Sequence, residues 1–144
     1  MKKAMLIMPI IITFALCGCA LTLPKASTDQ DNKAKTFVTK DDKANIYVYR
    51  NGLLGFGVAI PIVLNGKTVG SLAIKTYLLL VVPPGEHRLM CDCGNESVLR
   101  LTTESGKNYF VMLQGRFGGA DLLIVNEMTG RKGVEACSLI EAKY

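Results

Sequence analysis

From Ala44 to Val125, apolar side chains recur at every second position or in short β-branched runs, and turn residues break those runs. The pattern predicts strands at Ile46–Arg50, Val58–Leu64, Thr68–Ala73, Tyr77–Val82, His87–Cys93, Ser97–Thr102, Tyr109–Leu113 and Asp121–Val125. Asn65-Gly66 suits a type I′ turn, because both central residues there need positive φ, so a hairpin is expected. Pro83-Pro84-Gly85-Glu86 reads as a type II turn closing the most apolar strand. Pro61 lacks an amide donor, which places its strand at a sheet edge or at a bulge. Short strands at regular spacing, with no helical period between them, predict an all-β domain. The expected fold is an antiparallel β-sandwich of about seven or eight short strands. The tail from Asn126 fits either a helical turn or an extended piece over Val134–Leu139.

The amino-terminal pattern is different. Met1-Lys2-Lys3 is followed by an apolar run from Ala4 to Leu16 that Pro9 interrupts, too short for the roughly 20 residues of a spanning helix. A charged start, a short apolar core and small residues at its end describe a secretory signal. Leu16-Cys17-Gly18-Cys19 resembles the bacterial lipobox, which implies cleavage after Gly18 and a lipid on Cys19. Several acyl chains hold a protein to a bilayer stably where one does not. Ala20 rather than Asp after the acceptor implies the periplasmic leaflet of an outer membrane. The expected organisation is a signal peptide over 1–18, lipidated Cys19 and a flexible tether over 19–43, and the sandwich over 44–144. The segment around Ala26–Lys35 is polar, mixed in charge and without period, and such a tether would wander roughly 25–30 Å.

Charge changes this picture little. Lys2 and Lys3 leave with the signal, so 15 basic residues face 12 acidic ones, a balance of +3. That is no signal for nucleic acid. About 100 residues remain for one modest core.

The runs ANIYVYR, GLLGFG, VLNGKTVGSL, YLLLVVPPGEHRL and ESGKNYFV resemble the bacterial lipoprotein family with domain of unknown function 2846. The LNGKTVG and PPGEH portions are also similar to PEGA surface domains. The resemblance implies a β fold and brings no catalytic role.

The remaining chemistry is sparse. His87 is the single histidine and shares a strand face with Leu89 and Cys91. No serine elbow accompanies it, so it reads as a structural histidine beside the Pro-Gly turn, and no enzyme activity is expected. Cys91, Cys93 and Cys137 would follow the chain into an oxidising compartment, so a disulfide between Cys137 and either Cys91 or Cys93 is expected. Cys-x-Cys on a strand lacks zinc-knuckle spacing, and neither metal nor other cofactor is expected. Gly52–Gly57 precedes a β run rather than a helix, so it is no phosphate loop. Should that loop and Gly115–Gly119 share one end of the sandwich, Leu53, Leu54, Phe56, Arg116 and Phe117 would form a contact surface. Ser105-Gly106-Lys107-Asn108-Tyr109 resembles the Ser-Gly-x-x-Tyr loop of periplasmic lysozyme inhibitors. The expected function is therefore a lipid-anchored, non-catalytic binding or scaffolding module. Its expected partners are the membrane and another envelope protein or peptidoglycan. Inhibition of a lysozyme-like wall hydrolase is the alternative.

Overall fold

The computed structural model describes residues 23–53 and 57–143. The expected signal peptide, Cys19, Leu54 and Phe56 lie outside the described residues.

Nine strands form two sheets among these residues. The strands are β1 (Ala44–Arg50), β2 (Ile60–Leu64), β3 (Lys67–Leu72), β4 (Thr76–Val82), β5 (Gly85–Asp92), β6 (Glu96–Thr103), β7 (Asn108–Arg116), β8 (Gly119–Val125) and β9 (Ser138–Leu139). One sheet has the order β8-β7-β1-β4-β9 and the other β3-β2-β5-β6. The eight predicted strands are all present, within two or three residues at their ends.

Strand β1 sits in the middle of the larger sheet, and all seven of its residues are buried. Its alternation sends Ile46 and Val48 into the core between the sheets, with Leu78, Leu80, Leu89, Cys91 and Val111. Tyr47 and Tyr49 point the other way, into a second apolar layer with Phe37, Tyr77 and Phe110. Two-sided burial requires a cover on the outer face. Two helices supply it, α1 (Thr28–Ala34) and α2 (Glu127–Glu135). The molecule is thus a sandwich with a third, helical layer on the larger sheet.

Three features differ from the sequence reading. First, the sandwich is not wholly antiparallel, since β1 pairs with β7 and β4 with β9 in parallel. Helix α2 crosses the outer face and returns the chain beside β4, which period-two patterning cannot register. Gly130 and Gly133 let α2 approach closely: a Cβ on Gly133 would lie 2.1 Å from Tyr49 Cε2, and one on Gly130 2.2 Å from Phe110 Cγ. Second, the Pro83-Pro84 turn, expected only to close its strand, is a corner between the sheets. It carries the chain from β4 in one sheet to β5 in the other.

Third, the described part of the expected tether, 23–43, is folded domain. Lys25 bridges to Ile140, and the Ala26 amide donates to Leu139 O at 3.1 Å. Ser27 and Gln30 make a reciprocal capping box that starts α1. Ala34 and Phe37 are buried against the sheet. Phe37 accepts a left-handed φ of 57°, at a cost of roughly 1–2 kcal/mol, and in return its ring packs on Tyr47 at 5.2 Å and Phe110 at 5.8 Å. A short polar helix looks like solvated chain in composition; its docking rests on a few side chains, and one of them is acidic.

That residue is Asp31. Its Oδ1 accepts from Tyr77 Oη at 2.8 Å and from the Leu139 amide at 3.0 Å. Its Oδ2 accepts from Lys35 Nζ at 2.7 Å. Partial burial pushes its pKa up, but the bonds from Lys35, Tyr77 and Leu139 and the Lys35 charge outweigh this and leave it below the ordinary 3.8. A carboxyl held below its unfolded pKa stabilises the fold fully above that value, and the stabilisation is lost as pH falls through the folded pKa. Asp31→Asn is therefore expected to cost about 1–3 kcal/mol at pH 7. The deficit should narrow below pH 3.8. Urea unfolding of both proteins at pH 7 and pH 3 checks this, and a deficit equal at both pH values would contradict it.

Candidate functional site

Strand β1 ends at Arg50, and β7, parallel to it, ends at Arg116, so the loops that follow leave the larger sheet at the same end. The β5–β6 turn reaches this end as well. A Cβ on Gly94 would lie 2.6 Å from Gly118 O, which brings that turn against the β7–β8 hairpin. The Asn95 side chain accepts from the Ala120 amide at 3.1 Å, and Ser97 Oγ accepts from the Leu122 amide at 3.1 Å. These bonds join the hairpin to the opposite sheet.

Arg50 braces the same apex from inside. It is 1% exposed, and its Nη1 donates to Val58 O at 2.7 Å and Leu72 O at 3.1 Å. Burial lowers its pKa from the ordinary value, with the nearby Cys93 acting in the opposite direction. A guanidinium in a closed cap is expensive unless its donors find oxygens, and here Nη1 finds two backbone carbonyls. Sequence reading treated Arg50 as the last residue of a strand. Position alone carried no sign that it turns inward.

On this braced frame stand exposed apolar side chains. Phe117 is 97% exposed at the hairpin tip, and Leu53 and Val58 are exposed in the β1–β2 connection. Arg116 is half-exposed and its Nε donates to Asp121 Oδ2 at 2.8 Å. The two loops of the expected contact surface therefore share one end, as far as Leu53, Arg116 and Phe117 show.

The other candidates are used internally. His87 is buried, its Nε2 donates to Pro83 O at 2.8 Å, and its Nδ1 accepts from Asn65 Nδ2 at 3.0 Å. The carbonyl can only accept, which fixes the tautomer. Histidine here locks the inter-sheet turn to the β2–β3 turn, where Asn65 (φ 50°) and Gly66 (φ 86°) have the conformation expected of type I′. Ser105 Oγ donates to Asp41 O, the Gly106 amide donates to Lys43 O at 2.8 Å, and Tyr109 Oη accepts from the Glu104 amide at 2.9 Å. Among the described residues no three His, Cys, Asp or Glu side chains form a group that could hold a metal.

The disulfide expected of Cys137 does not form. No disulfide joins Cys137 to Cys91 or to Cys93. Cys91 is in the core between the sheets and Cys93 packs against it, whereas Cys137 lies under the helices on the far face of the larger sheet. One layer of sheet separates the two sites. The spacing in sequence could not reveal this, because it depended on which face the tail crosses.

A model described as "Protein of unknown function (DUF2846)" matches residues 40–126. The chain belongs to the DUF2846 family. A protein of Haemophilus influenzae described as "Uncharacterized protein" is 30% identical over 134 residues, covering 89% of this chain and 79% of that protein. No solved structure matches the chain. The family match ends at Asn126, so α2 and β9, and also α1, lie beyond it. The aromatic layer on β1 and β7 is inside the matched region, and its cover comes from outside.

Thiol reactivity follows from burial. Burial pushes the Cys137 thiol up to about 11, against smaller opposing effects of Lys75, Lys35 and the bond to Arg50 O. Maleimide is expected to modify Cys93 in the native protein, and Cys91 and Cys137 only after unfolding. Mass spectrometry with and without reductant checks both statements. Rapid native labelling of Cys137, or a loss of two thiols restored by reductant, would contradict them.

Proposed function

We propose that this chain is a lipid-anchored protein of the bacterial envelope, a non-catalytic module that holds a second envelope protein through its apex. The single observation behind the binding role is Phe117, 97% exposed on a hairpin that is itself fastened to the opposite sheet. An aromatic side chain on a rigid support loses little conformational freedom when a partner covers it. Leu53 and Val58 extend the apolar surface at the same end.

The anchoring role rests on the amino-terminal sequence. A positive start, a short apolar run and Leu16-Cys17-Gly18-Cys19 together suit a lipobox with Cys19 as acceptor. The outer membrane, with the domain facing the periplasm, suits Ala20 after the acceptor. Folding from residue 23 onward shortens the leash. Leu23 packs against the sandwich core, so three residues of chain, four Cα–Cα steps and at most about 14 Å, would separate a lipidated Cys19 from the body. The module would then stand on the bilayer surface and not range over it.

Inhibition of a lysozyme-like hydrolase has less support. The Ser105 hydroxyl, which an inhibitory loop would present, is spent on Asp41 O.

Crosslinking in intact envelopes, followed by mass spectrometry, tests the reading. A defined partner should be recovered with the wild-type chain, and Phe117→Asp should reduce it by about tenfold or more. A clickable palmitate analogue should label the wild type and not Cys19→Ala. Equal recovery from wild type and Phe117→Asp would contradict the apex as binding site, and an unlabelled wild type would contradict the anchor.

A further inference from the structure

The two helices do not cover the whole outer face of the larger sheet. Helix α2 lies over β7 and β1, while α1 lies near β9. Between α1 and the lower half of β4 an open groove of about 660 Å³ remains. Its lining includes Leu79, Val81 and Leu139, with the exposed Lys33 and Lys40 beside them. We propose that this groove binds a long-chain fatty acid, with the chain lying along β4 and the carboxylate met by the two lysines.

The volume falls within the range of about 300–1,000 Å³ usual for small-molecule sites. The floor is apolar. Leu79 and Val81 are two residues apart on one strand, so they point to the same face roughly 7 Å from each other. Tyr47 pairs directly across from Leu79 and, wholly buried, backs the groove from β1. The Tyr47 hydroxyl is spent on Ala34 O at 2.8 Å, so it presents no polar group to the groove. A floor of this kind rewards a hydrocarbon chain, which needs no hydrogen bonds, over a polar peptide. Val81 is 38% exposed and Val38, at the groove edge, 76%, so apolar surface is left to water that a chain would cover.

Charge selects the head group. Lys33 and Lys40 give the rim two positive groups against one negative, Glu141. Lys35 of the same helix is engaged by Asp31 and by Cys137 O and does not line the groove. The net positive rim favours a carboxylate over a cationic or neutral head. The site is on a different face from the apex and does not rest on the partner reading given above.

The test uses the full chain in phosphatidylcholine vesicles with a diazirine analogue of palmitate as probe. Photolysis should place label on peptides spanning Lys33–Lys40 and Leu79–Val81, and unlabelled palmitate should compete. An amphiphile with the same tail and a trimethylammonium head should not compete. Val81→Asp should reduce groove labelling about tenfold or more. Because Val81 is partly exposed, this variant should melt as the wild type does, and thermal denaturation checks that it does. Lys33→Gln with Lys40→Gln should weaken labelling several-fold while Phe117→Asp leaves it unchanged. Label spread over the whole surface, full competition by the cationic amphiphile, or undiminished labelling of a folded Val81→Asp chain would overturn the proposal. So would a groove already filled by residues 1–22 of the chain itself, seen as crosslinks from that segment to Leu79 or Val81.

Discussion

The structure depends on burying β1 from both sides. A strand with aliphatic side chains on one face and tyrosines on the other cannot be satisfied by a single partner sheet. Ile46 and Val48 are covered by the second sheet, but Tyr47 and Tyr49 need a cover that the family-matched region does not contain. Each large side chain left bare would forfeit roughly 1.5–3 kcal/mol of burial. The chain meets this requirement with two short helices drawn from either side of the sheet-forming segment. Both are marginal alone, being seven and nine residues long. They are held by what they touch: α2 by glycines seated on Tyr49 and Phe110, and α1 by Asp31 and the buried Ala34.

This arrangement has consequences for how the module would meet its surroundings. The cover is incomplete, which leaves the groove beside β4. The amino-terminal cover also consumes the residues that would otherwise serve as a leash. The apex depends on separate devices: buried Arg50 ties the β1–β2 connection at Val58 to the end of β3, and Asn95 and Ser97 hold the exposed hairpin. Aromatic exposure at a fixed position and apolar exposure in a lysine-rimmed groove are two different kinds of surface, at two places on one small domain.

Much of the sheet was legible in the sequence, because half-buried strands announce themselves by alternation and Asn65-Gly66 by its turn chemistry. The pairing of strands was not. The β4–β9 contact depends on where α2 crosses and the β1–β7 contact on the chain's passage through the second sheet, and alternation is the same for either direction. The Pro83-Pro84 turn was legible as the end of a strand, but not as a passage from one sheet to the other. Helix α1 had one readable sign, the Ser27…Gln30 capping box, which the polar composition of its surroundings obscured. Of the candidate site, exposure at Leu53 and Phe117 was foreseeable from glycine-flanked apolar residues. Arg50, Asp31 and the lysine-rimmed groove were not, since each acquires its role from neighbours distant in sequence. The cysteines failed as a guide for the same reason: Cys137 and Cys91 are separated by a sheet layer that no spacing rule describes.

The central claim is that the segment after residue 22 is domain and not tether. Amide hydrogen exchange on the full chain tests it most directly. The amides of Asp31, Lys35, Phe37 and Leu139, which donate within or to the docked segment, should exchange orders of magnitude more slowly than unstructured chain. Exchange of the α1 amides at the rate of an unfolded peptide, with the sheet still protected, would contradict the account.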